Sequence, residues 1–191
     1  MIRVFLLGVL GLIALALVAR NLPRYEIRNA SVADGGERTD GSGLFARWAG
    51  VWEGEFTTRR PDGTLVAVTK VRQEYTDVND NEQNVVITDW PAGGAAIVSS
   101  GTNRSGPDGL ECVLTDPNGV TKLLEGRQAG SAIIWHRHDA EARVEETFRE
   151  EILAMPGGDV YTIDGFGIYG GATGTVLLFE GRYHRAGSQA R

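Results

Sequence analysis

Three histidines, one cysteine and a group of paired glutamates are the residues of this 191-residue chain best equipped for chemistry. His136 and His138 form a His-x-His, which on an extended strand puts both imidazoles on one face, and His184 would complete a three-histidine zinc site. Ile133 and Trp135 occupy the opposite face of the same stretch, so the histidines are expected on the solvated side, and no metal is expected. Glu145, Glu146, Glu150 and Glu151 would supply paired acids for hydrolysis. Alternating with Arg143 and Arg149, they read instead as a charged outer face with cross-strand pairs. Cys112, inside Leu110 to Leu114, reads as small strand packing rather than as a thiolate. There is no Gly-x-Ser-x-Gly and no phosphate-binding glycine loop. The expectation is a chain without enzymatic activity, catalytic residue or cofactor.

The elements that must position these residues are strands. From Phe45 to Phe56, Trp48, Gly50, Trp52, Gly54 and Phe56 recur at every second position, the spacing of one face of a strand. Further β-favouring runs follow over Thr64 to Asp77, Asn84 to Trp90, Ala95 to Asn103, Leu110 to Thr115, Val120 to Gln128, Ser131 to His138, Arg143 to Leu153, Asp159 to Ile168 and Thr175 to His184. With Trp48 to Thr58 the count is ten. Pro61-Asp62-Gly63, Pro107-Asp108-Gly109, Pro117-Asn118-Gly119 and Gly170-Gly171 supply the positive φ that tight hairpins demand. Strands joined by short loops, without crossover helices, predict an antiparallel meander, most stable when closed on itself.

Composition narrows the partners. A net charge of −6, with Lys70 and Lys122 the only lysines, argues against nucleic acid, whose binding needs cations for the phosphates. The 26 glycines are spread at turn-like intervals and so mark turns rather than one long linker. The single cysteine excludes an intrachain disulfide.

Val4 to Ala19 is an uncharged apolar run bounded by Arg3 and Arg20. As a helix it would rise ~24 Å at ~1.5 Å per residue, against a hydrocarbon core of ~30 Å that snorkelling arginines and local thinning help it span. Two readings stay open: a secretory signal with an Ala14-Leu15-Ala16 cleavage site, and an uncleaved single-span anchor. The run continues through Ala19, and Arg20, Arg24 and Arg28 follow at once, which favours the anchor. Membrane lipid is then the partner of residues 4–19, and an integral-membrane protein is the expected further partner. Arginines on both sides nearly balance, with a lean toward an extracytoplasmic body. The organisation expected is an anchor over 1–21, a flexible linker over 22–44, a barrel over 45–186 and a tail over 187–191.

Gly50-Val51-Trp52 on the first strand and Arg182 on the last resemble the hallmark of the calycins, the group of lipocalins, fatty-acid-binding proteins and nitrobindins. The resemblance implies an all-β, antiparallel up-and-down barrel of about ten strands, with the arginine packed on the tryptophan at its closed end. It also implies an apolar ligand held by inward aromatics, for which Trp90, Trp135, Phe148, Tyr161, Phe166, Tyr169 and Phe179 are the candidates. The Arg-x-Tyr that holds a fatty acid in these relatives is absent from Arg182-Tyr183-His184-Arg185. His184 is the only counterpart of the nitrobindin haem ligand, in surroundings that do not match. Two functions follow: first, a non-catalytic accessory subunit of a membrane complex, and second, a tethered binding protein for a small hydrophobic molecule such as a lipid, pigment or tetrapyrrole.

Overall fold

Turn chemistry and alternation set ten strands end to end, and these pair in chain order until the last meets the first. The computed structural model describes residues 43–187. Its strands are β1 (Gly50–Arg59), β2 (Leu65–Asn79), β3 (Glu82–Pro91), β4 (Ile97–Gly106), β5 (Gly109–Thr115), β6 (Thr121–Ala129), β7 (Ala132–Asp139), β8 (Val144–Met155), β9 (Gly158–Tyr169) and β10 (Thr175–Arg185), with one 3-10 turn at Gly171–Thr173. All neighbours are antiparallel, and β1 pairs with β10 from Trp52↔Arg185 to Arg59↔Leu178, so the sheet closes as a barrel without free edges. The expected strand count and antiparallel order hold, and the closed barrel fits a calycin-like fold. The expected N-terminal span lies outside the described residues. Among those, no helix is long and apolar enough to cross a membrane.

Strand boundaries shift from expectation by up to three residues, and the shift at β1 matters for the core. Trp48 is not on β1; residues 44–49 turn back beneath the barrel, and Phe45 and Trp48 plug that end, 2% and 3% exposed. The period of two runs on through Trp48 because both strand and plug place aromatics toward one core, a coincidence that periodicity alone does not resolve. Gly50 makes the turn into the strand at φ 114°, a value open to glycine. Trp52 is fully buried above the plug, and its indole Nε1 donates to the Trp48 carbonyl at 2.8 Å. From β3, Gln83 donates to the Phe45 carbonyl at 3.0 Å.

The arginine over Trp52 is Arg185, its guanidinium carbon 4.3 Å from the ring centroid, while its nitrogens donate to the Ala49 and Arg47 carbonyls at 2.7 and 3.1 Å. Arg182, the residue expected there, points outward with a 68% exposed side chain and an ion pair to Glu180. Parity explains the correction: Phe179, Gly181 and Tyr183 face inward, so Arg182 cannot, whereas Arg185 can.

Candidate functional site

The barrel interior is the site, and strand alternation decides what it contains. Near the plugged end Tyr75, Ile133, Tyr161, Ile163 and Tyr183 pack with Trp52 into a filled floor. Tyr161 stands edge-on to Trp52 with centroids 5.6 Å apart and tilted to Tyr183 at 5.2 Å. Above the floor Phe179 stacks on both Phe56 and Phe148 at 5.5 Å. Gly126 leaves room for the Trp135 ring on the neighbouring strand, since a Cβ there would lie 2.4 Å from it.

Toward the other end packing thins. Among the described residues only 44–49 and the last few lie outside strands and their connecting turns, so no segment plugs this end. Inward-facing Phe56, Ile87, Leu114 and Phe148 keep part of their surface uncovered although they point into the barrel. A side chain in that position is uncovered only by internal space, so the upper half is a hollow that opens outward.

Charged groups line this hollow. Arg137 on β7 is inward and 9% exposed, and meets Glu146 of β8 at 3.2 Å and Asp139 at 2.9 Å. Glu146, 2% exposed, also accepts a bond from the Tyr169 hydroxyl at 2.6 Å, and burial with that carboxylate beside it pushes the Tyr169 phenol far up. Asp89 on β3 is 7% exposed, and burial raises its carboxyl to about 6, partly offset by Lys122 of β6 across the barrel. Burial lowers the Lys122 ammonium, with Glu146 opposing and Arg137 assisting.

Deeper, Glu150 is raised to about 7 by burial, although Trp135 and Tyr161 hydrogen-bond to it. It lies far below the surface yet retains some uncovered area, as does a group at the bottom of a hollow. Tyr75 continues the network, donating to Gln73 at 2.5 Å and lying 3.2 Å from the Tyr161 oxygen. Asn103 Oδ1 is buried without a hydrogen-bond partner among the described residues.

The sequence candidates divide accordingly. Trp135, Phe148, Tyr161, Tyr169 and Phe179 face inward. Phe166 is 43% exposed on the outer face, because Gly165 and Gly167 take the inner positions of β9 and leave room for Phe148 and Tyr169. Trp90 is 42% exposed, one residue past inward Asp89, and borders an open outer groove of about 840 Å³ with Lys70, Met155, Val160 and His184. His136 and His138 share the outer face with Glu145, to which both are paired. His184 stands opposite Glu53 near the plugged end and does not join them. Among the described residues no three metal-binding side chains are grouped to hold an ion.

The glutamate reading needs correction: Glu145 and Arg149 do face outward, but Glu146 and Glu150 share the parity of Phe148 and Ile152 and face inward. That parity was readable, since it aligns two carboxyls with two apolar residues on one face. Cys112 is a buried, inward strand residue as expected, with burial pushing its thiol far up.

No family model and no curated relative matches the chain. Among solved structures, it is similar to the S-type phycobiliprotein lyase CPES from Guillardia theta, with TM-score 0.56 and 13% identity over 76% of this chain and 92% of that one. A redesigned β-barrel, mFAP0, bound to DFHBI has TM-score 0.39 at 13% identity over 72% and 97% of the two chains. A de novo fluorescence-activating barrel has TM-score 0.37 at 13% identity over 74% and 96%. The first likeness is one of fold. It nonetheless overturns the expectation of a chain without enzymatic activity: the same barrel carries a protein named as a lyase, so the absence of a nucleophile elbow or phosphate loop does not exclude catalysis on this fold.

Proposed function

We propose that the open half of the barrel binds one small amphiphilic molecule with a flat apolar body and an acidic group, a pigment of the tetrapyrrole class being the leading candidate. The observation that carries this reading is the layering of charge over aromatic rings within one hollow: on the neighbouring strands β7 and β8, Arg137 and Glu146, paired at 3.2 Å, stand one inward position beyond Trp135 and Phe148, the latter stacked on Phe179. A barrel built for stability alone gains little from such groups, since buried ion pairs rarely repay their desolvation. A ligand gains from both layers. Its body would lie on Phe56, Phe148 and Trp135, and its carboxylate would meet Arg137 and Lys122 at the mouth. The fold shared with a phycobiliprotein lyase supports the pigment class. Nothing among the described residues supports the accessory-subunit reading.

Titration with biliverdin, followed by absorption and tryptophan fluorescence, tests the proposal. The expected result is one saturable site, a shifted visible band and quenching of Trp135. Phe148→Ala should weaken binding about tenfold or more, as truncating a central contact does. No saturable change, or unaltered affinity in both Phe148→Ala and a folded Arg137→Gln variant, overturns it.

A further inference from the structure

The geometry points to Lys122 as a covalent, reversible carbonyl-binding residue: its ε-amine faces the hollow opposite the Asp89 carboxyl and would condense there with an aldehyde or ketone to form an imine. The inference deepens the reading of the open half as a binding site and rests on it. Leu124 and Gly126 face inward on β6, Gly126 against the Trp135 ring, so alternation turns Lys122 inward as well. Lys122 is half-buried, and among the described residues no carboxylate closes on its amine to form an ion pair. Lys70, the other lysine, is exposed on the outer groove.

Imine formation has three requirements, and groups of the hollow bear on each of them. The amine must be neutral, and burial, with Arg137 assisting against Glu146, Asp116 and Asp89, lowers its proton affinity. The carbinolamine needs an acid to lose water, and Asp89, raised to about 6, holds a proton near neutral pH far more often than an exposed carboxyl does. The carbonyl carbon must be held near the nitrogen, and the next inward groups on β6 and β7, Leu124 and the Trp135 ring beside Gly126, give its apolar body a seat. The balance is closed. Nζ attacks the carbonyl carbon, the C=O π pair moves to oxygen, and a proton passes from nitrogen to that oxygen. Asp89 then protonates the hydroxyl, which leaves as water while the C=N bond forms, and the carboxylate recovers its proton from the iminium. Amine and carbonyl become imine and water, with no oxidation or reduction.

The test incubates the full chain with trans-cinnamaldehyde, traps the product with sodium borohydride, and locates it by intact mass and peptide mapping. One adduct per chain is expected, on Lys122 in preference to Lys70 by about tenfold or more, as a desolvated amine outcompetes a solvated one. Lys122→Arg should abolish it, and Asp89→Asn should slow it several-fold. Equal labelling of the two lysines, or undiminished labelling in Lys122→Arg, overturns the inference. Cinnamyl alcohol, with the same body and no carbonyl, separates the two levels through tryptophan quenching. Quenching without an aldehyde adduct overturns the imine alone, whereas neither quenching nor adduct overturns the binding site as well.

Discussion

The two halves of this barrel are built on different terms. At the plugged end inward positions are filled, aromatic rings interlock, and the cations Arg47 and Arg185 are spent on backbone carbonyls and, for Arg185, the Trp52 face. At the open end inward positions hold Asp89, Lys122, Arg137 and Glu146, and the apolar groups beneath them stay partly uncovered. The plugged half carries stability. The open half gives up some of it by burying polar groups and leaving space among them.

The largest expected effect lies at the plug. Trp52→Ala removes a fully buried indole, its bond to Trp48 and the surface under Arg185, and should cost about 3–5 kcal/mol in a denaturant titration. Phe148→Ala, in the hollow, should cost about half as much or less, because part of the ring is already uncovered. Equal losses at the two positions would erase the distinction between a filled half and an open one.

A second contrast is electrostatic. Glu150 has its carboxyl raised from 4.5 to about 7 by burial, so the folded state binds more protons than the unfolded one between those values. Its contribution to stability is therefore complete below about pH 4.5 and lost as pH rises toward 7. Glu150→Gln should remove that dependence and stabilise the protein at pH 8 by about 3–4 kcal/mol, given ~1.4 kcal/mol per pK unit. Melting curves of both forms at pH 5 and pH 8 check it, and an equal difference at the two pH values would show that burial does not raise the Glu150 carboxyl.

The fold was legible because it rests on local chemistry: Asn-Gly and Asp-Gly turns and alternating strands each announce themselves within a few residues. The site was legible only in part. Trp135, Phe148 and Phe179 are aromatics at inward positions, where aromatics are ordinarily read, but Glu146, Glu150, Arg137 and Lys122 are charges at inward positions, and charge is ordinarily read as outward. Phe166 and Trp90 failed for the converse reason. Large aromatics are ordinarily read as inward, whereas here Gly165 and Gly167 take the inner positions beside Phe166, and Asp89 takes the one beside Trp90. Strand parity, applied strictly over residue type, would have placed all of them.

The smallest expected effect separates two arginines three residues apart. Arg182→Ala should change stability by no more than about 0.5 kcal/mol, because its side chain is largely exposed and its one ion pair, to Glu180 at 3.8 Å, is of the surface kind. Arg185→Ala should cost about 1–2 kcal/mol: it removes a cation from the Trp52 face and leaves the Ala49 and Arg47 carbonyls without the bonds that fasten the plug. The pair is informative because the two residues carry the same charge on the same strand, so a difference measures side-chain direction alone. If Arg182→Ala proves the costlier, the closed end is not held as described. If Arg185→Ala is costly and Trp52→Ala masks it in the double variant, the two act as one unit at the plug, and the arginine that completes this barrel is Arg185.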